Sequence, residues 1–179
     1  MKDFIIQLNK LELGSNFFDL KINENLFYEY ENTDILRAIV NCKTEIIKKE
    51  MSITVNFLFT GTVVTECDRC LDDLELPVSS EEVLIVEFGT QISDLAEADY
   101  RITILETDTK LDLSKHLYDY IMISLPIKRV HSSDKKGKSL CNPEMIANLN
   151  KYLSNKEEEE EQDNEVPSDP RWNALKNIK

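Results

Sequence analysis

Two thiols two residues apart, Cys67-Asp-Arg-Cys70, are the residues of this chain whose spacing most directly permits chemistry. A tight turn brings both sulfurs to one point, where they can bite a single metal ion. A tetrahedral zinc site needs two more ligands, with Zn–S near ~2.3 Å and Zn–N near ~2.0–2.1 Å. The best candidates are His131 and Cys141, in the segment that begins at Pro126. Four protein ligands would close the coordination sphere and leave no position for a catalytic water, so such a zinc is structural. Two other readings stay open. The pair can be two unliganded thiols in a hairpin, or a redox dithiol, although redox motifs normally open a helix in a βαβ setting and nothing here looks parallel α/β. Cys42 belongs to the alternating run Ala38, Val40, Cys42, Thr44, Ile46 and reads as a small core residue. His116, on the edge of a helical apolar stripe beside Lys115 and Asp119, reads as half-buried or exposed and not as a ligand.

A second kind of chemistry lies in the loop that carries His131. Lys128, Arg129, Lys135, Lys136 and Lys138 face a single acid, Asp134. They form either a solvated loop or an anion-contacting patch for RNA phosphate, with Arg69 alongside if the zinc site forms. No aromatic residue interleaves with these bases, so base stacking is not expected there. Reactive constellations are missing: there is no Gly-rich phosphate loop, no G-x-S-x-G and no H-E-x-x-H. With two histidines and no base–nucleophile pairing, an enzyme is not expected.

Strands must position the cysteine pair. Residues 4–8 and 17–22 are short β-rich runs, and Met51, Ile53, Val55, Phe57 and Phe59 share one face of the clearest period-two segment. Gly61 interrupts that pattern before the cysteines and predicts a bulge or bend. The run 83–88 is apolar on both faces, as in a central strand. Helices come later. Leu113, Leu117, Tyr120, Ile121 and Ser124 return at helical spacing until Pro126 stops them. Asn142 is a good N-cap with Pro143 at the first helical position, followed by the stripe Met145, Leu149, Tyr152, Leu153. Cys141 then lies near the positive end of that helix dipole, which favours the thiolate a metal requires.

The formal net charge is −13, of which residues 150–179 contribute −3. So acidic a surface argues against broad nucleic-acid binding without excluding a local basic site. No signal peptide or membrane span is evident, which places the protein in the cytoplasm, where four cysteines are free or metal-bound. Glu157 to Glu161, Asp163 and Glu165 are too self-repelling to pack, so the expected organisation is one β-rich domain over 1–154, an acidic disordered spacer over 155–168, and a terminal motif over 169–179. In that motif Asp169-Pro170 precedes Trp172, Leu175 and Ile178 at helical spacing, a candidate docking face for a partner or for the body.

The order Cys67-Asp-Arg-Cys70-Leu71, then Ser124-Leu-Pro-Ile-Lys-Arg-Val-His131, Cys141, and Asp169-Pro-Arg-Trp-Asn-Ala-Leu-Lys176 resembles the YceD family, from about residue 35 onward. The resemblance implies a bacterial or plastid protein linked to accumulation of the large-subunit ribosomal RNA, with no established enzymatic activity. It matches Cys67, Cys70, His131 and Cys141 to the family's metal positions, and Trp172 and Leu175 to its terminal motif. Many relatives carry a second C-x-x-C near Cys141; this chain has one cysteine there, so His131 must serve if four ligands are to be found. The expected fold is α+β: a mostly antiparallel β body, barrel- or sandwich-like, with two or three helices in the C-terminal third and a structural zinc knuckle. The expected role is a non-catalytic factor in large-subunit biogenesis that contacts rRNA or a ribosomal protein, with no membrane or small-molecule partner. The alternative is a zinc-stabilised protein–protein adaptor without RNA contact.

Overall fold

Period-two alternation of apolar and polar residues draws the first half of the chain into long antiparallel strands. The computed structural model describes residues 4–30, 34–89, 100–133, 137 and 139–162, with the side chains of the last helix described as far as residue 152. The chain divides into two units, Met1–Val130 and His131–Lys179.

The first unit contains β1 (Ile5–Gln7), a 3-10 turn (Leu8–Lys10), β2 (Gly14–Asn23), α1 (Glu24–Tyr28), β3 (Ile35–Lys48), β4 (Ser52–Glu66), β5 (Asp73–Gly89), β6 (Arg101–Leu105), β7 (Lys110–Asp112) and α2 (Ser114–Ser124). A five-stranded sheet has the order β2-β3-β4-β5-β6, and β1 pairs with β7 in a two-stranded sheet. Pairing is antiparallel from β2 through β5, whereas β6 joins β5 in parallel. No local pattern announces that parallel pair, because a parallel pairing depends on a crossover connection. Nor does the sheet close into a barrel among the described residues. The large sheet is open, with β2 and β6 at its edges, and the layer over its inner face is helical.

That inner face is built as the alternation requires. Val40, Cys42, Ile46, Ile53, Val55, Phe57, Phe59, Leu84 and Val86 are buried along it. Helix α2 adds Leu117, Tyr120 and Ile121, with the Tyr120 ring 5.5 Å from Phe57 and 6.4 Å from Phe59. Fully burying one such side chain contributes ~1.5–3 kcal/mol, so this layer is the main source of stability. Short α1, which the sequence did not announce, buries Leu26 and Phe27, with Phe27 5.8 Å from Tyr118 of α2.

Gly61 makes neither a bulge nor a bend. The register runs unbroken through Val40↔Gly61 and Gly61↔Val78. Its small size serves close approach instead: a Cβ there would lie 2.2 Å from the Ile39 carbonyl oxygen and 2.6 Å from the Val40 Cα. The predicted stop of α2 holds, with Asp112 Oδ1 accepting the Ser114 N–H (2.9 Å) at its start and Leu125 extended before Pro126 at its end.

In the second unit, α3 spans Pro143–Gln162, and Asn142 Oδ1 accepts the Glu144 N–H at 3.0 Å, as its N-cap role predicts. The helix continues through Glu157–Glu161, so the stretch expected to be a spacer from 155 is helical as far as Gln162. Glutamate is a good helix former, and adding a residue to a capped helix is far easier than starting one. Residues 163–179, including Trp172, Leu175 and Ile178, lie outside the described residues. Among the described residues no helix is long and apolar enough to cross a membrane.

Candidate metal centre

Strand β4 ends at Glu66, and the chain reverses over residues 67–72 before β5 begins. The Cys67 N–H donates to the Asp72 carbonyl (2.9 Å), and the Leu71 N–H returns to the Cys67 carbonyl (2.9 Å). Closing so short a loop places Leu71 in the left-handed region, at φ 60°, the one described non-glycine residue with positive φ. Such a conformation costs a leucine ~1–2 kcal/mol. The turn buries both thiols: Cys67 is 0% and Cys70 1% exposed.

The segment that leads to His131 is held against this turn by Arg129. The Asp68 N–H donates to the Arg129 carbonyl (2.7 Å), and the Arg129 N–H donates to Asp68 Oδ2 (2.6 Å). The Arg129 guanidinium donates to Asp34 Oδ2 at 2.7 Å and to Thr65 Oγ1 at 3.3 Å. With its side chain only 20% exposed, this pair is better shielded than an ordinary surface ion pair. Beyond it, an antiparallel bridge pairs Ser133 with Ser139, and the Leu140 N–H donates to the Ser132 carbonyl at 3.1 Å. That closure brings His131 and Cys141 to one end of a small loop. Cys141, 4% exposed, directly precedes the capping residue of α3.

The outcome is a four-residue cluster. The ligand atoms of Cys67, Cys70, His131 and Cys141 all lie within 4.8 Å of one another, close enough to hold a metal ion. At a Zn–S distance of ~2.3 Å, a tetrahedron separates its sulfurs by roughly 3.8 Å, so the set fits such a site after small adjustment. Three thiolates and an imidazole make a soft donor set, suited to zinc or another thiophilic metal and not to magnesium or calcium. All four cysteines are free of disulfides.

The remaining cysteine and histidine stand apart. Cys42, in the core with Sγ 3.4 Å from Thr44 Oγ1, has its thiol pushed up to about 11 by burial. His116 packs 6.1 Å from Tyr120, and burial lowers its pKa. Of the bases assigned to RNA, Arg69 and Lys128 are exposed, Arg129 is engaged by Asp34, and Lys135, Lys136 and Lys138 lie outside the described residues. Asp34, Thr65 and Asp68 were not singled out from sequence. Their partner is 61 to 95 residues away, and no local pattern announces a contact at that separation.

An open, mostly antiparallel sheet with two helices on one face, and a Cys3His cluster whose ligand atoms lie close enough together to hold a metal ion, define an α+β protein. The chain belongs to the YceD family, described as large ribosomal RNA subunit accumulation protein YceD, whose model matches residues 55–179. That span includes all four cluster residues. The family name connects it with accumulation of large-subunit ribosomal RNA. No curated protein and no solved structure matches the chain.

Proposed function

We propose that this chain is a non-catalytic, cytoplasmic factor in biogenesis of the large ribosomal subunit, supporting accumulation or processing of its RNA, and that its Cys3His cluster holds one structural zinc. The observation that carries the reading is the family match over residues 55–179. The cluster supports the second part, since four protein donors leave a bound ion no open position for substrate. Zinc would fasten the Cys67–Cys70 turn to His131 and Cys141. The exposed charges of Arg69 and Lys128, with Lys135, Lys136 and Lys138, are the residues through which RNA phosphate would be contacted. Trp172, Leu175 and Ile178 would dock on an assembly partner.

The test is sedimentation of a tagged chain. It should travel with precursors of the large subunit and not with mature ribosomes, and its depletion should lower large-subunit RNA relative to small-subunit RNA. Lys135, Lys136 and Lys138 changed together to Gln should weaken RNA association and flatten its salt dependence by roughly 0.7 per lost contact on single strands. Absence of the protein from every precursor fraction would refute the reading. The adaptor alternative draws on one observation: the Arg129 charge is already engaged by Asp34, which leaves fewer bases for phosphate. Particle association that survives the triple Lys→Gln change would favour it.

A further inference from the structure

The face of the large sheet opposite α1 and α2 carries a feature that neither the metal cluster nor the family match uses. In an antiparallel sheet a solvated face normally reads as polar. Here two neighbouring cross-strand rows depart from that. The first row is Phe17–Glu45–Asn56–Val83 and the second is Asp19–Lys43–Leu58–Glu81, each running through β2, β3, β4 and β5 in continuous register. Residues two apart on a strand share a face and directly opposed pairs stand ~4.5–5.5 Å apart, so the rows form one patch. Phe17 is 75%, Leu58 39% and Val83 45% exposed. These side chains line a concavity of about 540 Å³.

An exposed phenylalanine and two aliphatic residues gathered in a hollow mark a binding surface more often than a neutral one. The charge around them identifies the partner. Asp19, Glu45 and Glu81 stand on this face against one base, Lys43. Asn56 Nδ2 donates to Glu45 Oε2 at 3.2 Å, which holds that carboxylate at the apolar floor. Phosphate would be repelled here. A cationic chain would be attracted over several ångströms and then bury apolar side chains on Phe17, Leu58 and Val83.

We propose that this hollow is a docking site for a basic, apolar-containing peptide segment of a partner protein, one that alternates Lys or Arg with large aliphatic side chains. The proposal stands on the sheet face alone and does not depend on the ribosomal reading. The probe is a fluorescent twelve-residue peptide alternating Lys and Leu, titrated onto the full chain by anisotropy and mapped by amide chemical shifts. Two comparison ligands are a Lys/Ser peptide of equal charge and a single-stranded RNA of equal length.

The expected result is shifts confined to β2–β5 on the rows named above. Phe17→Ser and Glu81→Lys should each weaken the Lys/Leu peptide by tenfold or more. The Lys/Ser peptide should bind at least tenfold less well, and the RNA should leave this face unshifted. Glu81 is exposed, so its replacement keeps the test valid if Phe17→Ser reduces stability. Because Glu157–Glu161 could attract any cation, a variant with all five changed to Gln serves as the control and should bind the peptide within twofold of the parent. The proposal is overturned if that control abolishes binding, if Glu81→Lys leaves affinity unchanged, if Lys/Ser binds equally well, or if RNA shifts the same residues.

Discussion

Replacing Cys141 by serine removes one of the four cluster ligands and leaves the sheet core untouched. Structural zinc sites are worth roughly 10–16 kcal/mol in small modules, so one ligand of four carries about 2.5–4 kcal/mol. At 1.4 kcal/mol per factor of ten, zinc affinity should fall on the order of 10²–10³-fold. Under zinc concentrations that saturate the parent and not the variant, the same free energy appears as lost stability, up to about 2.5–4 kcal/mol by linkage. For a chain of this size that is a fall in Tm of roughly 5–15 °C. Folding itself should persist, because Ile53, Val55, Phe59, Leu84 and Val86, each 0% exposed, hold the sheet without the cluster. The assay pairs metal content of protein purified under reducing conditions with calorimetry before and after chelation. Chelated parent and untreated Cys141→Ser should melt alike. Cys42→Ala is the internal control: it removes a buried sulfur outside the cluster, so it should cost stability and keep the full metal content. A Cys141→Ser protein that retains one equivalent of metal and melts within 2 °C of the parent would refute the reasoning.

Gly61→Ala should be costly, because the new methyl meets backbone of β3 at 2.2 Å and strands β3 and β4 must part locally. Overpacking of ~1–3 kcal/mol and a weakened ladder bond of ~1 kcal/mol together predict a loss of roughly 2–4 kcal/mol by urea titration. Leu71→Gly should act in the opposite direction. It relieves a left-handed residue whose side chain is 60% exposed, and after glycine's entropic cost the gain is up to ~1 kcal/mol with metal content unchanged. His116 gives a pH test. Burial first, then Lys115, hold it below its ordinary value of 6.5 against the opposing pull of Asp119 and Asp112. The unfolded chain therefore takes up this proton first, so stability is full above about pH 6.5 and is lost as pH falls toward the depressed folded value. Unfolding free energies at pH 7.5 and 5.5 should differ less in His116→Gln than in the parent; an equal difference would show that this group does not titrate on folding.

Much of the architecture was legible because its causes are local. Alternation in β3 and β4 identified the buried face, Asn142-Pro143 marked the start of α3, and Pro126 marked the end of α2, each through geometry that a few adjacent residues impose. The four cluster residues were legible for a different reason: thiols and imidazoles are few here, and C-x-x-C restricts what a turn can do. Tertiary structure decided what depends on partners distant in sequence. It paired β6 in parallel with β5, left the sheet open, and gave Arg129, a candidate phosphate contact, the partners Asp34, Thr65 and Asp68. It gave Gly61 a role in strand approach that sequence reads equally well as a bulge. It also gathered Phe17, Leu58 and Val83 into one hollow. Local pattern reports the torsions and faces of neighbours; which strands meet, and which side chains thereby share a surface, is fixed only when the whole sheet closes its hydrogen bonds.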